Sequence, residues 1–294
     1  MPSLKDVQNK ISAVKKTKQI TKAMNMVATS RLRGAQTNMQ NFRPYAAKFS
    51  EVLGSLAEKS GDEASPLLMP RDEVKKIHVV LCTSDRGLCG AFNSNIFKRV
   101  IMLVEENYKG FYERGYLDIL PIGRKSYDFF RKREFNIIDQ YWELYTDMTY
   151  DKVKEVAEFT MQSFKNKHYD EVIVVYNEFK NVATQILQTY KFLPIESNVY
   201  EETKQTHLDY IFEPSQQYII RELIPQSLHI QFYKAILESI AAEHGARMTA
   251  MEQATENADE LLGELQITYN RTRQAVITKE LNEIVGGAQA LSQD

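Results

Sequence analysis

A heptad run near the C-terminus constrains this chain more than any other feature. Leu237, Ala241, His244, Met248, Met251, Thr255, Ala258, Leu262, Leu265, Tyr269, Thr272 and Val276 follow one another in alternating three- and four-residue steps. That spacing lays them along one seam of a helix. His244, Thr255 and Thr272 soften the seam, and Gly245 and Gly263 each weaken the helix by about 1 kcal/mol relative to Ala. No proline follows Pro225, so nothing in the segment breaks a helix by removing an N–H. A helix of roughly 75 residues measures on the order of 110 Å at 1.5 Å per residue. No globular domain of this size buries such a rod along its whole length, so the rod is expected to project.

The N-terminal segment predicts a second long helix. Ser3 can cap it, with Asp6 as an imperfect capping-box partner. Leu4, Val7, Ile11 and Val14 start a seam; Ile20, Met24, Val27, Leu32, Ala35 and Met39 resume it after a phase slip, which would locally alter a supercoil. Pro44 is expected to bend or end this helix, with the pattern resuming through Phe49, Val52, Leu53 and Leu56. Charge pairs the two ends. Residues 1–43 hold nine Lys or Arg against Asp6 alone, and residues 236–294 hold ten acids against Arg247, Arg271, Arg273 and Lys279. Each exposed ion pair contributes only about 0–1 kcal/mol, but opposite fields favour an antiparallel two-helix coiled coil.

Between the ends the pattern changes. His78–Cys82, Leu117–Ile122 and Val172–Tyr176 are short apolar runs suited to buried strands, with helical stretches near 94–108, 124–132 and 151–166 between them. Ala183–Phe192 alternates enough for a further strand at an edge. The expected fold class is therefore α/β: a long antiparallel coil of the terminal segments plus a central, Rossmann-like open sheet. The segment Ser60–Pro70 is the expected boundary. This divides the chain into an N-terminal shaft helix (1–59), a central α/β domain (75–210) and a C-terminal shaft helix (211–294).

The chemistry-bearing residues make no enzyme constellation. The stretch 83–93, TSDRGLCGAFN, follows a strand and precedes a helix, where α/β proteins cradle phosphate. Yet neither GxxxxGK[ST] nor GxGxxG is present, and a tight packed turn is the better reading. Gly123, Arg124 and Lys125 form a weaker lure of the same kind. His78, His168, His207, His229 and His244 lack metal-ligand spacing. Glu201 with Glu202 and Asp259 with Glu260 read as solvated faces. Cys82 and Cys89 are too few for a disulfide framework and suit a reducing compartment. A thiol nucleophile at Cys89 would need a histidine that the sequence does not place. The basic N-terminal helix raises nucleic acid as a partner, but the chain's pI of about 6.3 and the absence of interleaved aromatics argue for acidic protein surfaces instead. No run approaches the roughly 20 apolar residues that cross a bilayer, and the N-terminus lacks the apolar core of a secretory signal.

Three blocks of the sequence resemble the gamma subunit of F-type ATP synthases, in order and across essentially the whole chain. They are ISAVKKTKQITKAMNMVATSRLRGAQ at 11–36, SDRGLCGAFNSN at 84–95, and the run from ARMTAMEQATENADELLGELQITYNRTRQ to AVITKELNEIVGGAQAL at 246–291. The last is the most specific: Ile277, Thr278, Glu280, Glu283, Gly287, Ala288, Gln289 and Ala290 fit the family signature.

The resemblance implies a non-catalytic rotor shaft, without cofactor, standing inside a ring of three alpha and three beta subunits. Its C-terminal tip would lie deepest, and its α/β base would meet the epsilon subunit and the membrane c-ring. It implies a peripheral location on the cytoplasmic face of a bacterial inner membrane. It also implies polar rotor–stator contacts at Arg273, Gln274, Thr278 and Glu280, with Met24 near beta and Lys15, Lys16, Lys18 and Lys22 facing an acidic loop of beta. Gly286, Gly287, Ala288 and Ala290 would form a slippery tip. The cysteine-pair insert of the photosynthetic form is absent, so no thiol regulation is expected. Two other readings stay open: a non-rotary coiled-coil scaffold, and a nucleotide-binding enzyme using the 83–93 turn.

Overall fold

The computed structural model describes residues 3–57, 66–67, 70–71, 73–195 and 216–291. The side-chain surroundings of residues 50–57, 216–220, 287 and 289–291 lie outside that description. So do most of the expected boundary at 60–70, and His207, Glu201 and Glu202. The chain separates into two compact units, one formed by Met1–Val27 with Met248–Asp294 and the other by Ala28–Arg247.

The first unit is an antiparallel helix pair made by the start of α1 (Leu4–Ala57) and the later part of α6 (Gln216–Leu291). Ser3 and Asp6 form the reciprocal cap: Asp6 N donates to Ser3 Oγ at 3.2 Å and Ser3 N to Asp6 Oδ2 at 3.3 Å. The α6 seam is the one its spacing predicts. Met251, Ala258 and Thr272 are buried, and Met248, Thr255, Leu262, Leu265 and Tyr269 are partly so. Val276 is exposed, because α1 has ended by that level.

The α1 seam differs from its expectation. There is no phase slip: Leu4, Val7, Ile11, Val14, Lys18, Thr21 and Asn25 continue one heptad pattern, whereas Ile20 and Val27 are 60% and 61% exposed. Three polar residues hold seam positions because each finds a partner on α6. Thr21 and Thr255 hydroxyls meet at 2.8 Å, Asn25 Nδ2 donates to the Met248 carbonyl at 3.0 Å, and Lys18 pairs with Asp259. An apolar-only reading passes over such positions and takes the nearest aliphatics instead.

Pro44 neither bends α1 enough to break it nor ends it; the helix runs through to Ala57. Pro44 and Gln40 are both exposed, so the carbonyl that loses its N–H partner can bond to water. Pro225 sits inside α6 in the same way, one turn after exposed Arg221.

The second unit holds a five-stranded sheet of order β3-β2-β1-β4-β5. The strands are β1 (Ile77–Cys82), β2 (Leu117–Ile122), β3 (Asn136–Ile137), β4 (Glu171–Phe179) and β5 (Gln185–Leu193). The first four run parallel and β5 pairs antiparallel to β4. Strands β1 and β2 are buried at every position, as largely apolar runs in a two-sided sheet must be, with His78 and Asp118 the polar exceptions. β5 is the expected edge; β3, only two residues long, carried no readable pattern.

Side-chain alternation splits the core. Val80, Cys82, Leu120, Ile122, Val172 and Val174 face α5 (Tyr150–Lys165) and the α6 residues Ile224, Leu228, Phe232 and Ile236. Val79, Leu81, Ile119, Ile173 and Val175 face α2 (Phe92–Leu103) and Phe130 of α4 (Arg124–Arg131). A π-helical turn, Val104–Tyr108, joins α2 to α3 (Lys109–Glu113).

Candidate functional site

In a doubly wound sheet the ligand crevice opens beyond the carboxyl ends of the strands where the chain switches direction, here beside β1, which lies between β2 and β4. The 83–93 turn leaves β1 at that point. The side chains of Thr83, Ser84, Asp85 and Asn93 bond to the protein itself. Thr83 Oγ1 donates to Ser126 Oγ at 2.8 Å and accepts from Ser126 N at 3.0 Å. Ser84 N donates to Asn93 Oδ1 at 3.0 Å, and Asn93 Nδ2 to Ser84 Oγ at 2.7 Å. Arg124 N donates to Asp85 Oδ1 at 3.0 Å, so a resident carboxylate occupies the first turn of α4 where an anion would sit. Gly123 is needed there: at φ 101° an added Cβ would lie 2.3 Å from the Thr83 carbonyl oxygen.

A phosphate cradle aims N–H groups at its ligand, whereas this turn aims carbonyls at a cation. Arg247 of α6 donates from Nη2 to the carbonyls of Arg86 (2.9 Å) and Gly87 (3.3 Å). Its Nη1 lies 2.6 Å from Glu243 Oε1, with the two side chains only 11% and 12% exposed. Close approach of α6 to the sheet is allowed by Gly245, where a Cβ would come within 3.2 Å of the Phe179 ring. The same glycine that lowers helix propensity therefore serves packing.

The titratable groups nearby are tuned by burial for neutrality. Burial raises the Glu243 carboxyl, with Arg247 opposing it. Burial lowers His244 to about 4, helped by the positive charges of Arg247 and Arg31. Tyr145, partly buried with its hydroxyl oxygen shielded from solvent, is raised by desolvation and by nearby Cys82 and Glu243. Burial raises Cys82 to about 12 and also raises Cys89, the reverse of an activated thiolate. His78 is pushed down to about 4 by burial and stacks on Tyr169 with ring centroids 4.5 Å apart. Among the described residues no three His, Cys, Asp or Glu side chains cluster to hold a metal ion. Nor is any helix among them long and apolar enough to cross a membrane.

The remaining site residues lie on the helix pair. Lys15, Lys16 and Lys22 are exposed, Met24 is partly buried, and Lys18 is engaged with Asp259. Arg273, Gln274, Thr278 and Glu280 are all exposed, beyond Thr272, the last buried side chain among the described residues of α6. Gly286 and Ala288 are exposed too, while the surroundings of Gly287 and Ala290 lie outside the described side chains. Sequence reasoning missed the aliphatic groups among them. Ile277, Leu281, Ile284 and Val285 are 53%, 58%, 72% and 48% exposed. The available signal was an apolar 3–4 spacing continuing past the residue where α1 runs out of partners.

An antiparallel two-helix coil, joined in one chain to a doubly wound α/β unit whose switch-point turn is held by an arginine of its own long helix, defines a class of shaft-bearing α/β proteins. A family model described as ATP synthase matches residues 3–291. The ATP synthase gamma chain of Cytophaga hutchinsonii is 49% identical over 294 residues, covering 99% of this chain and 100% of that one. That of Chlorobium limicola is 48% identical, covering 99% of each. The chain belongs to the ATP synthase gamma-chain family. Among solved structures, the central stalk and c-ring of Tetrahymena thermophila mitochondrial ATP synthase includes a chain matching at TM-score 0.55 and 25% identity, over 80% of this chain and 99% of that one. A chain of Euglena gracilis mitochondrial ATP synthase matches at TM-score 0.66 over 98% of this chain and 94% of that one; at 20% identity it establishes the fold alone.

Proposed function

We propose that the chain is the central rotor shaft of an F-type ATP synthase. It couples ion-driven rotation of the membrane c-ring to sequential conformational change in the catalytic beta subunits, and it makes and breaks no bond itself. Three alpha and three beta subunits surround it, and epsilon and the c-ring meet its α/β unit. It resides peripherally, through this complex, on the cytoplasmic face of a bacterial inner membrane. The shaft comprises residues 1–59 and 211–294, and the central domain residues 75–210.

The observation that carries this reading is the end of α6, where polar and aliphatic side chains from Arg273 to Val285 stand exposed, with Lys279 and Glu283 pairing along the helix at 3.6 Å. A shaft changes a neighbour's conformation only through contacts that differ between that neighbour's states. Driving a site from 1:99 to 99:1 requires about 5.5 kcal/mol of such difference. Covering Ile277, Leu281 and Ile284, each more than half exposed, would contribute about 1–2 kcal/mol apiece, which is the needed order. Arg273, Gln274, Thr278 and Glu280 then confer direction through polar contacts, with Met24 and Lys15, Lys16, Lys18 and Lys22 contacting beta from α1, and Gly286, Gly287, Ala288 and Ala290 forming the low-friction tip.

Co-expression with alpha and beta subunits, followed by gel filtration and ATPase assay, tests the reading. The expected result is one copy per three alpha and three beta, with cooperative ATPase that weakens when residues 277–291 are removed. Failure to enter the ring, together with ATP turnover by the isolated chain, would overturn it.

A further inference from the structure

We infer that the groove at the entry edge of the sheet, opposite the 83–93 turn, binds a phosphate-bearing anion. Parallel pairing of β1 with β2 on one side and β4 on the other brings three strand starts to one edge. Each is entered through basic residues far apart in sequence: Lys75 and Lys76 before β1, Arg114 before β2, and Lys167 before β4. With Phe111 and Tyr116 they line a groove of about 1490 Å³. Strands β2 and β4 lie two strand spacings apart, about 10 Å, so the long side chains of Arg114 and Lys167 can close on one anion between them.

The lining acids are already engaged, and the surplus charge is basic. Asp170 Oδ2 accepts from the Lys75 and Lys76 amides at 2.8 and 3.0 Å, and its Oδ1 lies 4.0 Å from Arg71 Nε. Arg71 also donates to the Phe164 carbonyl at 3.0 Å, and Lys76 Nζ pairs with Asp118 at 2.8 Å. Glu73 pairs with Lys75 at 3.3 Å, but their side chains are 76% and 72% exposed, and such a pair contributes little in water. Among the described residues Arg114 and Lys167 have no carboxylate partner. Nor are they spent on helix ends. Helices α3 and α5 finish at this edge, where free C-terminal carbonyls would disfavour an anion. Those carbonyls are bonded instead: Phe164 O accepts from Lys167 N at 3.0 Å, Ser163 O from His168 N at 2.9 Å, and Tyr112 O from Gly115 N at 3.0 Å. Lys167 stands at φ 61°, the left-handed position after a helix that glycine fills without strain, so the chain holds a cation there that no ion pair of its own uses. A phosphate accepts in several directions at once, as donors from three strand entries require, whereas a peptide carboxylate carries one charge in one plane. The apolar faces of Phe111 and Tyr116 suit the organic part of a phosphate ester.

Titration calorimetry of the full chain with pyrophosphate, at about 0.15 M salt, tests the site. The parent should bind, and Arg114→Gln with Lys167→Gln should weaken binding at least about tenfold, the equivalent of one charge-assisted hydrogen bond. Lys15→Gln with Lys16→Gln and Lys22→Gln, at exposed positions of α1, should leave the affinity unchanged. Lys167→Gly separates binding from folding: relief of the positive φ should raise the Tm, while loss of the cation weakens binding. If the double variant does not accumulate, Lys167→Gly decides. Flotation with vesicles of phosphatidylglycerol and phosphatidylcholine, against phosphatidylcholine alone, separates the two sources of this chemistry. Capture by the anionic vesicles that the groove substitutions abolish assigns the site to a lipid headgroup. Groove-dependent pyrophosphate binding without such capture assigns it to a free phosphate. Binding that survives the groove substitutions, or that falls equally with those on α1, overturns the inference, as does binding of neither probe.

Discussion

Replacing Arg247 by methionine is the sharpest perturbation of the second unit. Methionine keeps most of the apolar stem and removes the guanidinium. Glu243 then loses the cation 2.6 Å away, and the carbonyls of Arg86 and Gly87 lose a donor. Breaking a buried pair by removing one partner costs about 3–5 kcal/mol, because the other charge is left desolvated. For a cooperative unit of roughly 200 residues that corresponds to a fall in Tm of about 10 °C.

The loss should carry a pH signature. The folded carboxyl of Glu243 is already raised above its 4.5 reference by burial, with Arg247 holding it down. Removing Arg247 raises it further. A carboxyl with a raised folded pKa contributes stability that is complete below the unfolded value and is lost as pH rises through the folded one. The variant should therefore be closest to the parent near pH 4.5 and fall further behind as pH rises. The single tryptophan, Trp142, is a built-in probe: it stacks on Tyr127 at 5.1 Å and its carbonyl accepts from Gly123 N at 3.0 Å. Urea denaturation followed by its fluorescence gives the free energy directly. Adding Glu243→Gln should recover all but about 1 kcal/mol, since no charge is then stranded. A loss under about 1 kcal/mol in Arg247→Met, or no recovery in the double variant, refutes the argument.

Two glycine substitutions should act in opposite directions. Gly123→Ala drives a Cβ to 2.3 Å from Thr83 O at φ 101° and should cost about 3 kcal/mol, combining backbone strain with overpacking. Gly263→Ala meets nothing within 4 Å and should stabilise by about 1 kcal/mol; calorimetric Tm shifts that are both negative would refute the Gly263 assignment, and both positive the Gly123 one. His78, lowered from 6.5 to about 4 by burial, must stay neutral to remain folded. Its contribution is complete above pH 6.5 and declines by about 1.4 kcal/mol per unit as pH falls towards 4, so His78→Phe should flatten the acid limb of the urea-midpoint profile.

The strands and helices of the α/β unit were legible because each buried element repeats its own period. The runs at 77–82, 117–122 and 171–176 are apolar but for His78, Asp118 and Glu171, close to what two-sided burial demands, and the heptads of α6 follow one seam for some forty residues. The exclusion of a phosphate cradle at 83–93 was also legible, from the missing lysine and glycine spacing. What holds the turn was not, because Glu243 and Arg247 look like an ordinary surface pair on a helix, and Arg247 lies about 160 positions from the carbonyls it bonds.

The sequence by itself determined that both ends are long helices, that they pair, and that an open sheet lies between them, since local period and proline placement decide these matters. Only tertiary structure decided that Lys18, Thr21 and Asn25 belong to the seam while Ile20 and Val27 face outward. Polarity is read residue by residue, but whether a polar side chain can be buried depends on a partner more than 200 residues away. The same holds for Pro44 and Pro225. Whether a helix survives a proline depends on whether the carbonyl it orphans can reach water, and that is settled by which face the fold leaves exposed.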